Sequence, residues 1–264
     1  MEGNESDLVW RAPVPLSATT KKLHDKCLQP YLCMLLVSCR VLRLPMETIF
    51  TAACLLHRYA LLVEELPHEE EFRWTVMCVI FIACKQTEHH RRLRDFINLS
   101  HMLAHKPKEE DNQAKSSEQK ASLSALSWNP TPPDLDDDYW KSKEYIVKAE
   151  QSVLRKLGFD VHVSLPHRLV VLIVEDCFHD ISLETQHKWV EETWKHLNTC
   201  VFSVAALRQP TLPLAVAALD MTIAHNSSSD EGLVESSTDW WKGTGVPLCD
   251  KNRATLVLRA VQST

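Results

Sequence analysis

The chain has 264 residues, 45% of them apolar, with a formal charge of −6 and nine cysteines. That is apolar mass for one large core or two small ones, while the acidic balance argues against a broad phosphate-binding face. Only five glycines occur, with Gly158 alone between Asn4 and Glu231, which argues against a turn-rich β-protein and for an all-α fold.

Residues 1–22 carry Pro13 and Pro15 and no apolar period, and read as a flexible arm. The acidic, polar start is unlike a signal peptide, and no apolar run reaches the roughly 20 residues that a membrane span needs. A first helix is expected from about His24 to Leu42, with Leu28, Leu32, Leu35, Leu36 and Cys39 on its apolar positions. Pro45 breaks it and suits the first turn of a second helix, about Met46 to Glu64. A third runs from about Glu69 to Gln86, its three glutamates favoured by the helix dipole. From Trp74 to Cys84 this helix is apolar almost throughout, so it reads as buried on nearly all sides, with Lys85 as a lone cation at its exit. A fourth helix is expected over about Arg91 to Ala104.

Between His105 and Pro133 the sequence turns polar and then proline-rich, which reads as a disordered insertion. A fifth helix comes next, about Asp138 to Leu157, with acids at its start and Gly158 as its stop. After a short extended link, Ser164 as cap and Pro166 as first residue suit a helix to Phe178. Further helices are expected over about Leu183–Ala205, Leu214–His225 and Lys251–Val261. The segment 226–238 reads as a loop, and Trp240 and Trp241 as packing residues. The organisation is therefore an arm over 1–22, a first helical domain over 23–158 and a second over 159–264. The third helix of each set is apolar or rich in small residues, which suggests a distant internal repeat. Most cysteines sit within apolar helical pattern and no C-x-x-C occurs, so they read as buried free thiols in a reducing compartment.

One carboxylate stands out. Glu150 lies three or four residues from Ile146, Val147, Val153 and Leu154, its nearest neighbours on a helix. An unpaired carboxylate among them costs several kcal/mol to bury, roughly. Two arrangements relieve it. Glu150 can meet Lys85, or it can reach water while Lys85 complements the end of its own helix.

At these residues the chain resembles the cyclin family. The stretch VIFIACKQTEHHRRLRDFIN (79–98) resembles the end of the third cyclin-box helix together with the turn and helix after it. KAEQSVLRKLGFDVHVSLPHRLVV (148–171) resembles the fifth helix and the start of the second cyclin fold, and LRLPMETIFTAACLLHRY (42–59) the region around the second helix. RRLRDFIN, the spacing VHV-x-x-PH and the late Trp pair are similar to transcriptional cyclins of the L and Q types. The resemblance covers about residues 25–261 apart from the insertion. It implies two tandem five-helix cyclin-box domains and a nuclear, non-catalytic regulatory subunit that binds and activates a cyclin-dependent kinase in transcription or RNA processing. No cofactor, metal, membrane or direct nucleic-acid partner is implied. The family's Lys–Glu pair corresponds to Lys85 and Glu150, which by that resemblance hold backbone near the kinase C-helix; Phe72, Tyr145 and Ile146 are candidates for the flanking surface. The family usually has two acids just after the lysine; in this chain Gln86 and Thr87 precede the single acid Glu88. The Arg/Ser-rich tail usual in L-type cyclins does not occur in these 264 residues.

Other clusters carry less. His101 and His105 have a zinc-compatible spacing without a third ligand. Arg91, Arg92 and Arg94 suit a charged helix start. No phosphate-binding loop or hydrolase motif occurs. A degenerate cyclin-fold scaffold and a general transcription factor of the TFIIB kind are the other function classes; the second would bring a zinc ribbon and a basic face, neither of which is present.

Overall fold

The computed structural model describes residues 18–63, 68–104, 137–227 and 240–262. The expected disordered insertion and nearly all of the expected loop at 226–238 lie outside them. Among the described residues the regular elements are all helical: α1 (Ala18–Val41), α2 (Met46–Leu62), α3 (Glu69–Gln86), α4 (Leu93–Ala104), α5 (Asp137–Lys156), α6 (Pro166–Cys177), α7 (Leu183–Thr199), α8 (Val204–Leu207), α9 (Thr211–Ser227) and α10 (Leu248–Gln262). No described helix is long and apolar enough to cross a membrane.

The chain forms two compact units. One comprises residues 33–161, and the other His162–Thr264 with the start of the chain to Leu32. The helix α1 starts at Ala18, inside the segment expected as an arm, and its first half groups with the second unit.

In the unit of residues 33–161, α3 packs against α2, α4 and α5. Phe72, Val76, Met77, Cys78, Val79, Ile80, Ala83 and Cys84 are fully buried on every side of the helix. That is what an apolar run without polar period requires. Burying each of the larger side chains contributes about 1.5–3 kcal/mol before the cost of ordering the chain. Facing them are Ala52, Ala53, Leu55 and Leu56 of α2 and Ile146 and Val153 of α5, all buried. Small alanines on α2 leave room for the large residues of α3.

The end of α5 is a Schellman turn: Phe159 N–H donates to the Leu154 carbonyl at 2.8 Å and Gly158 N–H to that of Arg155 at 3.1 Å. Gly158 takes the left-handed conformation this requires (φ 62°), and Phe159 continues it at φ 61°.

In the second unit α9 is the inner helix, packed on α6, α7 and α10, and Leu214–Leu219 are all buried. Thr193 of α7 donates to Thr222 of α9 at 3.0 Å, and Thr222 donates to the Ala218 carbonyl at 3.1 Å. Lys251 of α10 is buried against Asp220 of α9 (2.8 Å) and lies over the Trp241 ring at 4.6 Å. The Ser182 hydroxyl caps α7 by accepting from the Thr185 amide at 3.3 Å. Two local expectations change. The N-cap of α6 is Leu165, with no side-chain cap, so Ser164 stands one residue too early. The long helix expected to Ala205 stops at Thr199, turns through a 3-10 segment and breaks at Ser203. There the Val204 amide donates to the Asp25 carboxylate at 3.0 Å, a cap supplied by a residue far away in sequence.

All nine cysteines are free. Burial raises the thiols of Cys39, Cys54, Cys78 and Cys84 above the usual thiol range, Cys54 to about 12 and Cys84 to about 11, so these four pack as small apolar groups.

Candidate partner-binding site

Lys85 leaves α3 in its last turn, where a cation complements the carbonyl end of the helix. Its ammonium donates to the Glu150 carboxylate of α5. Of the two arrangements open from sequence, the paired one is present. The lysine side chain is 47% exposed and the glutamate 20%, so the pair sits at the margin of the core with its cation facing outward. Below it lies Cys78, fully buried, whose thiol is held well up by burial and further by the nearby Glu150 charge.

The surroundings fix the pair. Lys85 Nζ lies 4.1 Å from the centre of the Phe81 ring, one helical turn earlier. Phe81 meets the buried Phe96 of α4 edge-on, with ring centres 5.3 Å apart. After Lys85 the helix ends at Thr87, whose hydroxyl donates to the Ala83 carbonyl at 2.9 Å. The Thr48 hydroxyl of α2 is 2.7 Å away and, since the Thr87 proton is engaged, acts as the donor to it. Arg91 donates to the Leu42 carbonyl at 3.2 and 3.0 Å and to that of Arg43 at 3.4 Å, anchoring the turn beyond α3. Asp95 takes the Arg92 amide at 3.2 Å, which starts α4.

The other candidate residues separate into two kinds. Tyr145 is 54% exposed and lies nearly parallel to Trp74, with ring centres 6.2 Å apart. Phe72 of α3 and Ile146 of α5 are fully buried. As core residues they present no side-chain area to a partner, unlike the flanking surface expected of them. Glu88 is not brought to the pair. It is 84% exposed, has φ 59°, and faces His90 at 3.0 Å. Val147, expected on the buried stripe, is 40% exposed. Glu150 therefore stands where the buried face of α5 turns into the open one, between Val147 and Leu154.

Three exposed apolar residues of this unit were not anticipated as surface. Trp140 is 53% exposed and shares a helical flank with Val147, seven residues on. Phe159 is 69% exposed just past the end of α5. Its spacing from Leu154 suits the contact that usually closes a Schellman turn, so sequence alone reads it as inward. His101, weighed as a metal ligand, instead meets the Ser142 hydroxyl of α5 at 3.1 Å; His105 lies outside the described residues.

Comparison with known proteins gives the family and the fold. Residues 11–162 match the family described as "Cyclin, N-terminal domain". Cyclin-L1 of Xenopus laevis is 30% identical over 161 residues, which is 61% of this chain and 28% of that protein. Cyclin-L2 of Mus musculus is 30% identical over 158 residues, 60% of this chain and 26% of that protein. The match thus spans about a quarter of the length of these curated relatives. Among solved structures, the crystal structure of the yeast RNA Pol II CTD kinase CTDK-1 complex contains a similar chain, with TM-score 0.64, 16% identity, and coverage of 94% of this chain and 73% of that one. A viral cyclin from herpesvirus saimiri is similar with TM-score 0.57 and 10% identity, covering 95% of this chain and 87% of its own. At these identities the structures speak for the fold, over nearly the whole chain.

Proposed function

This chain belongs to the cyclin family, and from that premise we propose that it is the regulatory, non-catalytic subunit of a cyclin-dependent protein kinase acting on transcription or RNA processing in the nucleus. The observation that carries the proposal is the outward-facing Lys85–Glu150 pair between α3 and α5, held at the surface of a cyclin fold. Likeness to L-type cyclins supports the transcriptional setting, and so does likeness to a chain of an RNA Pol II CTD kinase complex.

The chemistry is that of a clamp on backbone. A lysine ammonium has three donors and a carboxylate several acceptor positions, so a mutual bond leaves each with capacity for peptide groups of a partner. Tyr145, Val147, Trp140 and Phe159 expose apolar area along α5 and just past its end, and protein interfaces commonly combine such area with a polar centre. Pressing on a kinase C-helix would order the kinase's own catalytic pair, so that activation is a shift between two conformations of the partner. Glu88, turned away toward His90, contributes at the rim.

The test is purification of the tagged full chain with identification and assay of the kinase that accompanies it. Lys85→Ala and Glu150→Ala should each weaken the complex by about ten- to a hundredfold, the range for hydrogen bonds to charged groups. A kinase retained at wild-type affinity by both variants would overturn the proposed interface. A kinase bound without gain of activity would leave a cyclin-fold scaffold as the better reading.

A further inference from the structure

We propose that Phe81 is a positioning residue for Lys85: its ring face acts on the ammonium alongside the Glu150 carboxylate, and the two contacts together fix how the ammonium presents its remaining donors. This inference rests on the reading of Lys85 as part of the partner-binding pair and adds the group that pre-organises it.

A half-exposed lysine with a single ion pair is weakly confined, because its four-carbon stem keeps many rotamers and surface pairs contribute little. At Lys85 a second element acts on the same atom. Phe81 is four residues before Lys85 on α3, the spacing that stacks side chains on one helical face. The ammonium stands 4.1 Å from the ring centre, within the range of cation–π attraction. The ring itself is held. Phe96, fully buried on α4, meets it edge-on at 5.3 Å and an interplanar angle of 65°. The arrangement runs from the core outward: Phe96 sets the Phe81 ring, and the ring and Glu150 both hold the ammonium. One donor goes to the carboxylate and the ring restrains the ammonium a second time, so the donors that remain are held in fewer orientations. Pre-ordered donors of this kind lower the entropy lost on binding.

An aliphatic residue of similar volume would fill the space of Phe81 without attracting the cation. The first measurement is therefore made on the full chain alone, by NMR of the Lys85 Cε methylene. Stacking over a ring moves these protons upfield. Phe81→Leu should abolish the displacement and Phe81→Tyr should keep it, with both variants showing wild-type helicity. The second measurement uses the kinase recovered with the wild-type chain. Phe81→Leu should weaken the complex by about two- to tenfold, Phe81→Tyr should restore it, and Phe81→Leu should add nothing in a Lys85→Ala background, because its whole effect passes through the lysine. An unshifted Lys85 signal in the wild type overturns the inference. So does an effect of Phe81→Leu that persists undiminished without Lys85, which would mark a packing role only. A shifted Lys85 signal together with a kinase indifferent to Lys85→Ala would overturn the part of Phe81 in binding while leaving the ring–ammonium contact in place, and indifference to Glu150→Ala as well would overturn the proposed interface.

Discussion

Tyr145 of α5 lies almost flat on Trp74 of α3, ring centres 6.2 Å apart and planes 13° from parallel, with the tryptophan buried beneath and the tyrosine half open to solvent. The tyrosine therefore has two parts to play. Its inner face closes the contact between the two helices that carry Lys85 and Glu150, and its outer face is available to a partner. Tyr145→Ala should lower stability by about 0.5–1.5 kcal/mol beyond the area lost, read as a fall in the urea midpoint at constant slope. Tyr145→Phe should leave stability unchanged. In the kinase complex Tyr145→Ala should weaken binding; unchanged affinity would restrict the residue to packing.

The joint between α2 and the end of α3 depends on two hydroxyls. Thr48 is fully buried and its hydroxyl lies 2.7 Å from that of Thr87. Thr87→Val removes the acceptor and leaves a buried donor to find another, at a cost of about 1–3 kcal/mol. Thr87→Ser should recover most of it. The double variant Thr48→Val with Thr87→Val should be less damaging than the sum of the two single changes, since it removes both halves of the bond together. Additive effects in thermal unfolding would show that the two hydroxyls are not coupled.

Much of this was legible in the sequence because it depends on neighbours along the chain. An apolar run without period states its own burial, so α3 is found where it was expected, from Glu69 to Gln86. Glu150 among Ile146, Val153 and Leu154 states its need of a partner in the same local terms. Other features are decided by residues far away in sequence. Phe72 and Ile146 stood as surface candidates by family resemblance alone, and sequence does not say which neighbouring helix covers a face. They are core because α3 is surrounded by α2, α4 and α5, and α5 turns its apolar face to that bundle. The helical pattern through Val201 to Ala205 gave no sign of a break, since the cap at Val204 comes from Asp25. Phe81 could have been noticed, four residues before Lys85, but an aromatic on an apolar helix reads first as packing.

Phe159 combines exposure with a left-handed backbone, φ 61°. A bulky residue there costs roughly 1–2 kcal/mol relative to its preferred conformations. Asn adopts this region more readily. Phe159→Asn should therefore leave stability intact or raise it by up to about 1 kcal/mol. The same change should weaken the kinase complex, because it removes the most exposed aromatic among the described residues of this unit. A stabilised chain that binds as before would mean the phenylalanine serves neither purpose. For comparison, Gly158→Ala should cost about 1 kcal/mol from conformation alone, since a Cβ at Gly158 would meet nothing within 4 Å.

The second unit carries a buried titratable group. His167, at the start of α6, pairs with the Asn198 side chain at 3.0 Å, and its carbonyl accepts from the Trp194 indole at 3.2 Å. Burial pushes its pKa below the ordinary histidine value, against a smaller opposing effect of the Asn198 hydrogen bond. The folded state thus prefers neutral imidazole. Below about pH 6.5 the unfolded chain takes up a proton that the folded chain resists. The stability due to this group is present above that pH and is lost as pH falls through the lower, folded-state pKa. His24 and His196 are displaced in the same direction, also by burial first. The wild-type chain should therefore lose stability from pH 7 to pH 5, and His167→Gln should lose less over that interval, though it starts from a lower value. Measured by urea unfolding at a series of pH values, parallel curves for the two proteins would show that His167 does not contribute to the acid sensitivity.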